Sequence, residues 1–207
     1  MNAPDRRRAH SPRHPLQPDL FGASSPGPEG LAYRADLLSQ AEEDELVARL
    51  GELPIEPFDF HGYLANRRVV GFGYRYVYAR RAVAPAPPMP AFLGPLRRKV
   101  AAFAERPAEA FAQVLINDYR PGAGIGWHRD KPQFGEVVGV SLLEPCVLRF
   151  RRKVEGRWER AFVPIAPRSA YLLAGPSRSV WQHSIAPLDR HRYSITFRTL
   201  AATVAAS

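Results

Sequence analysis

The chain has 207 residues, 45% of them hydrophobic, and its 29 Lys and Arg outnumber 20 Asp and Glu for a formal net charge of +9. That length and composition suit one globular domain with a tail and exclude a fibrous or wholly disordered chain. The single cysteine, Cys146, excludes an internal disulfide and a thiolate zinc cluster, so a reducing cytoplasm is the expected setting; a soluble monomer is expected, with no membrane partner.

Residues 1–30 hold Pro4, Pro12, Pro15, Pro18, Pro26 and Pro28 and few large apolar groups, and are read as a flexible, basic, Pro-rich tail. The opening "MNAPDRRRAHSPRHP" lacks an apolar stretch after its arginines, so it reads as neither a signal peptide nor a membrane span. Residues 31–207 form one compact domain in this reading, with helices and a lid over 31–110 and a β core over 111–207. "SQAEEDELVARLG" carries a capping box, Ser39 with Glu42, and an apolar stripe of Ala41, Leu46, Val47 and Leu50 that ends at Gly51. An amphipathic helix is expected there. "RRVVGFGYRYVYARR", residues 67–81, interleaves aromatics with arginine and reads as strand or hairpin material. After the extended "PAPPMP", Leu93, Leu96, Val100 and Phe103 fall at helical spacing.

From residue 111 the texture changes to short apolar runs between Gly, Pro and charged turns: "FAQVLINDY", "GEVVGVSL", "CVLRFRR", "RAFVPI", "SAYLLAG", "VWQHSI" and "RYSITFRTL". These are strands spaced for a sandwich or barrel. Two helices packed on a compact antiparallel β core is the expected architecture, an α+β class that is mainly β.

Charge is unevenly distributed. From His61 to Ala104 there is no Asp or Glu but eight Arg and Lys, and "RFRRKVEGRWER" (149–160) is a second basic run. Clusters of this kind are the footprint of a surface that meets phosphates.

In "WHRDKPQFG", His128 and Asp130 stand one residue apart, a spacing that turns both side chains to one side of a strand end. Two imidazoles and one carboxylate bind iron(II) while leaving positions open for a co-substrate and dioxygen. For the second histidine, His183 in the apolar "SVWQHSIAP" is preferred to His191 in the charged turn "LDRHR". Arg192 and Arg198 lie six residues apart on one strand, aimed at one face. Two inward guanidiniums require a buried anion, and a dicarboxylate supplies one.

"LINDYRPGAGIGWHRDKP", then "WQHS" and "RYSITFR", resembles the AlkB-like iron(II) and 2-oxoglutarate dioxygenases, whose pattern runs Asn-x-Tyr, His-x-Asp, a distal His and Arg-x5-Arg. The helices and basic aromatic segment ahead of it resemble the bacterial members. The resemblance implies a double-stranded β-helix, or jelly roll, with N-terminal helices and a β-hairpin lid. It implies His128, Asp130 and His183 as iron ligands and catalytic centre, with Asn117, Tyr119, Arg192 and Arg198 holding 2-oxoglutarate. Ser194 also belongs to the co-substrate set, although many relatives carry Asn there. The cofactors implied are Fe(II), 2-oxoglutarate and O2, and the reaction is oxidative removal of alkyl groups from base nitrogens, releasing aldehyde, succinate and CO2.

The partner implied is alkylated DNA, with RNA as a further class. A base must leave its stack to reach an enclosed metal, and His61, Tyr63, Arg67 and Tyr74 are the lid residues picked to meet it. Trp127, Arg129 and Lys131, flanking the His-x-Asp pair, are picked as contacts at the rim. Two alternatives stand beside this: the same chemistry on tRNA or protein, and a nucleic-acid binding module with little turnover.

Overall fold

The computed structural model describes residues 27–60 and 63–205; the expected tail up to residue 26, and His61, lie outside them. Along the chain run β1 (Leu31–Arg34), α1 (Gln40–Gly51), β2 (Glu56–Phe60), β3 (Tyr63–Phe72), β4 (Tyr74–Val77), β5 (Ala82–Pro85), α2 (Gly94–Phe103), β6 (Gln113–Tyr119) and β7 (Ile125–His128). There follow β8 (Phe134–Leu142), β9 (Cys146–Val154), β10 (Arg157–Ile165), β11 (Ala170–Leu173), α3 (Gly175–Ser179), β12 (Gln182–Ile185), β13 (Arg192–Leu200) and α4 (Ala202–Ala205).

The helices form where local chemistry starts them. At α1 the Ser39 backbone N–H donates to Glu42 at 2.9 Å, and the Glu42 N–H donates back to the Ser39 hydroxyl at 3.3 Å, closing the expected capping box. Leu46 and Leu50 are buried, but Ala41 is exposed and Glu43 takes the inward place. Glu43 accepts from Arg168 at 2.9 Å and from the Leu143 N–H at 2.7 Å, so a buried carboxylate, fully partnered, ties the helix to two loops. Leu96 and Val100 of α2 pack into the same cluster.

Seven strands make one antiparallel sheet, in the order β1-β11-β8-β13-β6-β3-β2, and four make a second, β10-β9-β12-β7. Strands β4 and β5 form a separate hairpin. The segment 67–81 is therefore split, with β3 joining the large sheet while β4 turns away at Gly73. That glycine has φ +80°, and a Cβ there would strike the Ala112 carbonyl.

The large sheet is buried on both faces. Val114, Ile116, Val138, Val140, Ile195 and Phe197 meet the helices. Val137, Leu148, Phe150, Val163, Ile165 and Leu173 fill the space between the sheets. This is the sandwich that the strand spacing leads one to expect, mainly β with the helices on one outer face. Within it β13 is exceptional: its inner-facing residues Arg192, Ser194, Thr196 and Arg198 are polar and all buried. Among the described residues, no helix is long and apolar enough to cross a membrane.

Candidate active site

Strand register assembles the site. His183 of β12 pairs directly with His128 of β7, and the two rings lie 4.3 Å apart between centroids. On the facing sheet, β13 and β6 set Ser194 opposite Asn117 and Arg192 opposite Tyr119. Asn117, Tyr119, His128, Asp130, His183, Ser194, Thr196 and Arg198 line one cavity, with Arg67 at its wall.

Asp130 enters from beyond the end of β7, not from the strand itself. Its position rests on Arg178 of α3, whose guanidinium donates to four backbone carbonyls: Asp130 at 3.2 Å, Lys131 at 2.7 Å, Phe134 at 2.8 Å and Gly135 at 2.9 Å. The carboxylate Oδ1 accepts from Arg198 Nη2 at 3.1 Å, and Oδ2 lies 3.7 Å from His183 Nε2. Burial opposes ionisation of Asp130, but the Arg198 guanidinium, with Arg178 behind it, outweighs it, holding the acid well below the usual carboxylate range. Among the described residues no three His, Cys, Asp or Glu side chains are already closed into a metal cage; Asp130 Oδ1 faces Arg198 instead.

Both imidazoles are kept neutral. Burial, reinforced by His128, pushes His183 down to about 3, and burial also lowers His128. The His128 Nδ1–H donates to the Gly126 carbonyl at 2.9 Å, which leaves Nε2 with the lone pair. His183 Nδ1 is buried without a partner among the described residues. Two neutral imidazoles and an ionised carboxylate form a donor set suited to a divalent first-row metal.

The two arginines of β13 differ. Arg198 is satisfied, donating to Asp130 and, at 2.9 Å, to Gln113. Arg192 is fully buried, and its Nε donates to Ser141 at 3.1 Å, but Nη1 and Nη2 have no partner among the described residues. Its guanidinium lies 5.2 Å from the Tyr119 ring centre. A buried cation with two idle donors is costly, and a carboxylate is its natural complement. Tyr171 closes the wall nearby because Gly139, opposite it in register, has no Cβ to collide with the ring.

The other expected contacts are scattered. Arg67 is buried and donates to the Asn117 side-chain carbonyl, with its guanidinium 4.7 Å over Phe58. Burial lowers its pKa. Lys131 sits over the rings of Tyr76 and Tyr78 at 4.9 and 4.7 Å. Tyr74 belongs to the separate hairpin and does not line the cavity, and Tyr63 is placed only as the first residue of β3. Arg129 is exposed and donates to the Val180 carbonyl at 3.0 Å. Trp127 stacks under Arg151 at 4.4 Å on the opposite face of the sheet from the cavity. The strand ends at His128, so face alternation does not extend to Arg129 and Lys131. His191 bonds Asp118 at 2.7 Å, outside the cavity lining. Sequence reasoning missed Thr196, Gln113, Tyr171 and Arg178; the polar inner row of β13 was the one signal that pointed to Thr196.

A family model for the 2OG-Fe(II) oxygenase superfamily matches residues 30–198. An Arabidopsis thaliana protein named alkylated DNA repair protein ALKBH8 homolog is 27% identical over 180 residues, covering 75% of this chain and 50% of that protein. The mouse tRNA (carboxymethyluridine(34)-5-O)-methyltransferase ALKBH8 is 30% identical over 169 residues, covering 77% of this chain but 24% of its own length. The chain thus spans half or less of these relatives. Among solved structures, OsALKBH1 superposes with a TM-score of 0.63 at 18% identity over 82% of this chain and 96% of its own. A Pseudomonas putida prolyl-4-hydroxylase gives 0.55 at 16% identity over 83% and 93%. These likenesses establish the jelly-roll fold.

Proposed function

The chain belongs to the 2OG-Fe(II) oxygenase superfamily, and from that premise we propose that it oxidises alkyl groups on nucleic-acid bases, N-alkylated bases in DNA first among them. As a member of that superfamily it is an enzyme that works with Fe(II), 2-oxoglutarate and dioxygen. The residues present fit these groups. His128, Asp130 and His183 would hold the iron, and Arg192, with Arg198, Asn117, Tyr119 and Ser194, would hold 2-oxoglutarate. The observation that carries the reading is Arg192, buried on the same face of β13 as Ser194 and Arg198 with two donors unpartnered among the described residues.

When bound, the iron with its co-substrate and dioxygen supplies oxidation of a C–H bond to C–OH, and an N-alkyl group so hydroxylated departs as an aldehyde. The rest is positioning by the chain. Gly126 fixes the His128 tautomer, Arg178 holds the backbone carrying Asp130, and Arg198 keeps that carboxylate ionised in a buried setting. Leu148, Ile125, Leu173 and Ile185 give the cavity an apolar wall that excludes water. Arg67 and Lys131 supply positive charge toward the lid side, where a base taken out of its stack would arrive with its phosphates.

A tRNA base is the second reading, favoured by the name of the mouse relative. The experiment is a mass-spectrometric panel in which the purified protein, Fe(II), ascorbate and 2-oxoglutarate meet N-methylated single-stranded DNA, duplex DNA, tRNA and a methylated peptide. Loss of the methyl mass from DNA with matching succinate is expected. Product from tRNA alone selects the second reading, and product from the peptide alone overturns both.

A further inference from the structure

The four-stranded sheet has an outer face with no part in the site described above. From β9 it presents Arg149, Arg151 and Lys153, and from β10 Trp158, Arg160 and Phe162, while the alternate residues Leu148, Phe150 and Val163 are buried. The six include four cations and no carboxylate. Register sets Arg160 directly opposite Arg151, and Phe162 opposite Arg149. Like charges opposite one another weaken a sheet unless an anion joins them.

The partners of these cations are neutral. Arg149 donates to the Ser184 hydroxyl at 3.1 Å and Arg151 to the Gln182 side-chain carbonyl at 2.8 Å. Among the described residues neither arginine, nor Lys153 or Arg160, forms an ion pair. Arg151 is clamped between the indoles of Trp127 and Trp158, at 4.4 and 4.5 Å. A stacked guanidinium is rigid and keeps its edge donors available. That stacking alone would account for Arg151, but not for Lys153 and Arg160 beside it. Nor does it explain Phe162, 55% exposed, or the surface of Trp158 that stays 43% exposed beyond the stack.

Phosphate-binding cations alternating with exposed flat rings are the chemistry of a single-strand platform, where bases stack on aromatics and the backbone follows the charge. Duplex bases have no free face to offer those rings. The location also fits: β7, at one edge of this sheet, turns Trp127 to the outer face against Arg151 of β9, and the next residue, His128, lines the cavity. We propose that the outer face of β9 and β10 docks single-stranded DNA flanking the base under repair, with phosphates on Arg151, Lys153 and Arg160 and bases on Trp158 and Phe162. This rests on the nucleic-acid reading above.

The test is fluorescence anisotropy of a short labelled oligothymidylate with the full chain, titrated at several salt concentrations. Arg160→Glu combined with Phe162→Ala should weaken binding about tenfold or more, and the salt dependence should shallow by about 0.7 in log–log slope for each phosphate that is no longer neutralised. Lys153→Glu, at an exposed strand end, repeats the test should the double variant fail to fold. If wild-type protein binds the oligonucleotide and both variants bind equally well, the platform is wrong while the nucleic-acid reading survives. If wild-type protein binds no oligonucleotide, that reading itself fails. Weakening confined to an oligouridylate probe overturns the assignment to DNA.

Discussion

The two faces of β13 are made from alternate residues of one nine-residue strand and serve opposite ends. Tyr193, Ile195 and Phe197 turn to the helices and pack in the larger apolar cluster, whereas Arg192, Ser194, Thr196 and Arg198 turn to the cavity and are equally buried. The first face lowers free energy by leaving water. The second raises it unless every donor and acceptor is matched. The Arg198 guanidinium and the Thr196 hydroxyl have found partners among the described residues, whereas Nη1 and Nη2 of Arg192 have not. A strand with one face of each kind shows where stability has been exchanged for chemistry.

The cavity face of β13 is the more sensitive to substitution. Asp130→Ala removes a carboxylate that Arg198 and His183 both face, and turnover should fall by more than the roughly 10–100-fold that outer partners of a metal site cost. Circular dichroism should be unchanged; a variant that keeps its succinate production removes Asp130 from the ligand set. On the other face, Ile195→Ala should cost about 2–5 kcal/mol in urea unfolding, with turnover per folded molecule intact. A matching fall in kcat in that variant would mean the two faces are not separable.

Smaller effects refine the boundary. Arg178→Lys keeps the charge but cannot span four carbonyls, so Co(II), used as a spectroscopic stand-in for iron, should bind about tenfold or more weakly. Unchanged Co(II) affinity would show that the 130–135 segment holds itself in place. Lys131→Ala forfeits the charge held over Tyr76 and Tyr78 and should raise KM for an oligonucleotide about two- to fivefold, with kcat steady.

Much of the molecule is legible from residues alone, for identifiable reasons. The capping box at Ser39 is local, so its pattern fixes a helix start without tertiary help. Strands β6 and β8 stand out because both faces of the large sheet are buried there, making their apolar runs nearly continuous. His128 with His183, and Arg192 with Arg198, can be picked by spacing and by an improbable burial of charge. What stays hidden depends on register between distant strands. Arg67 reaches Asn117 across fifty residues through the pairing of β3 with β6. Arg178 serves carbonyls 43–48 residues earlier, and a carbonyl acceptor leaves no trace in residue type. Trp127 reads as a rim residue from its neighbour His128, but alternation sends it to the other side of the sheet, under Arg151.

In the proposed function, the cavity face of β13 is built around a dicarboxylate held by Arg192. Calorimetric titration of 2-oxoglutarate into wild-type and Arg192→Met protein measures it directly. Each charge-assisted hydrogen bond removed is worth about 1.5–3 kcal/mol, so the variant should bind at least about tenfold more weakly. Equal affinity in the two proteins would contradict the account.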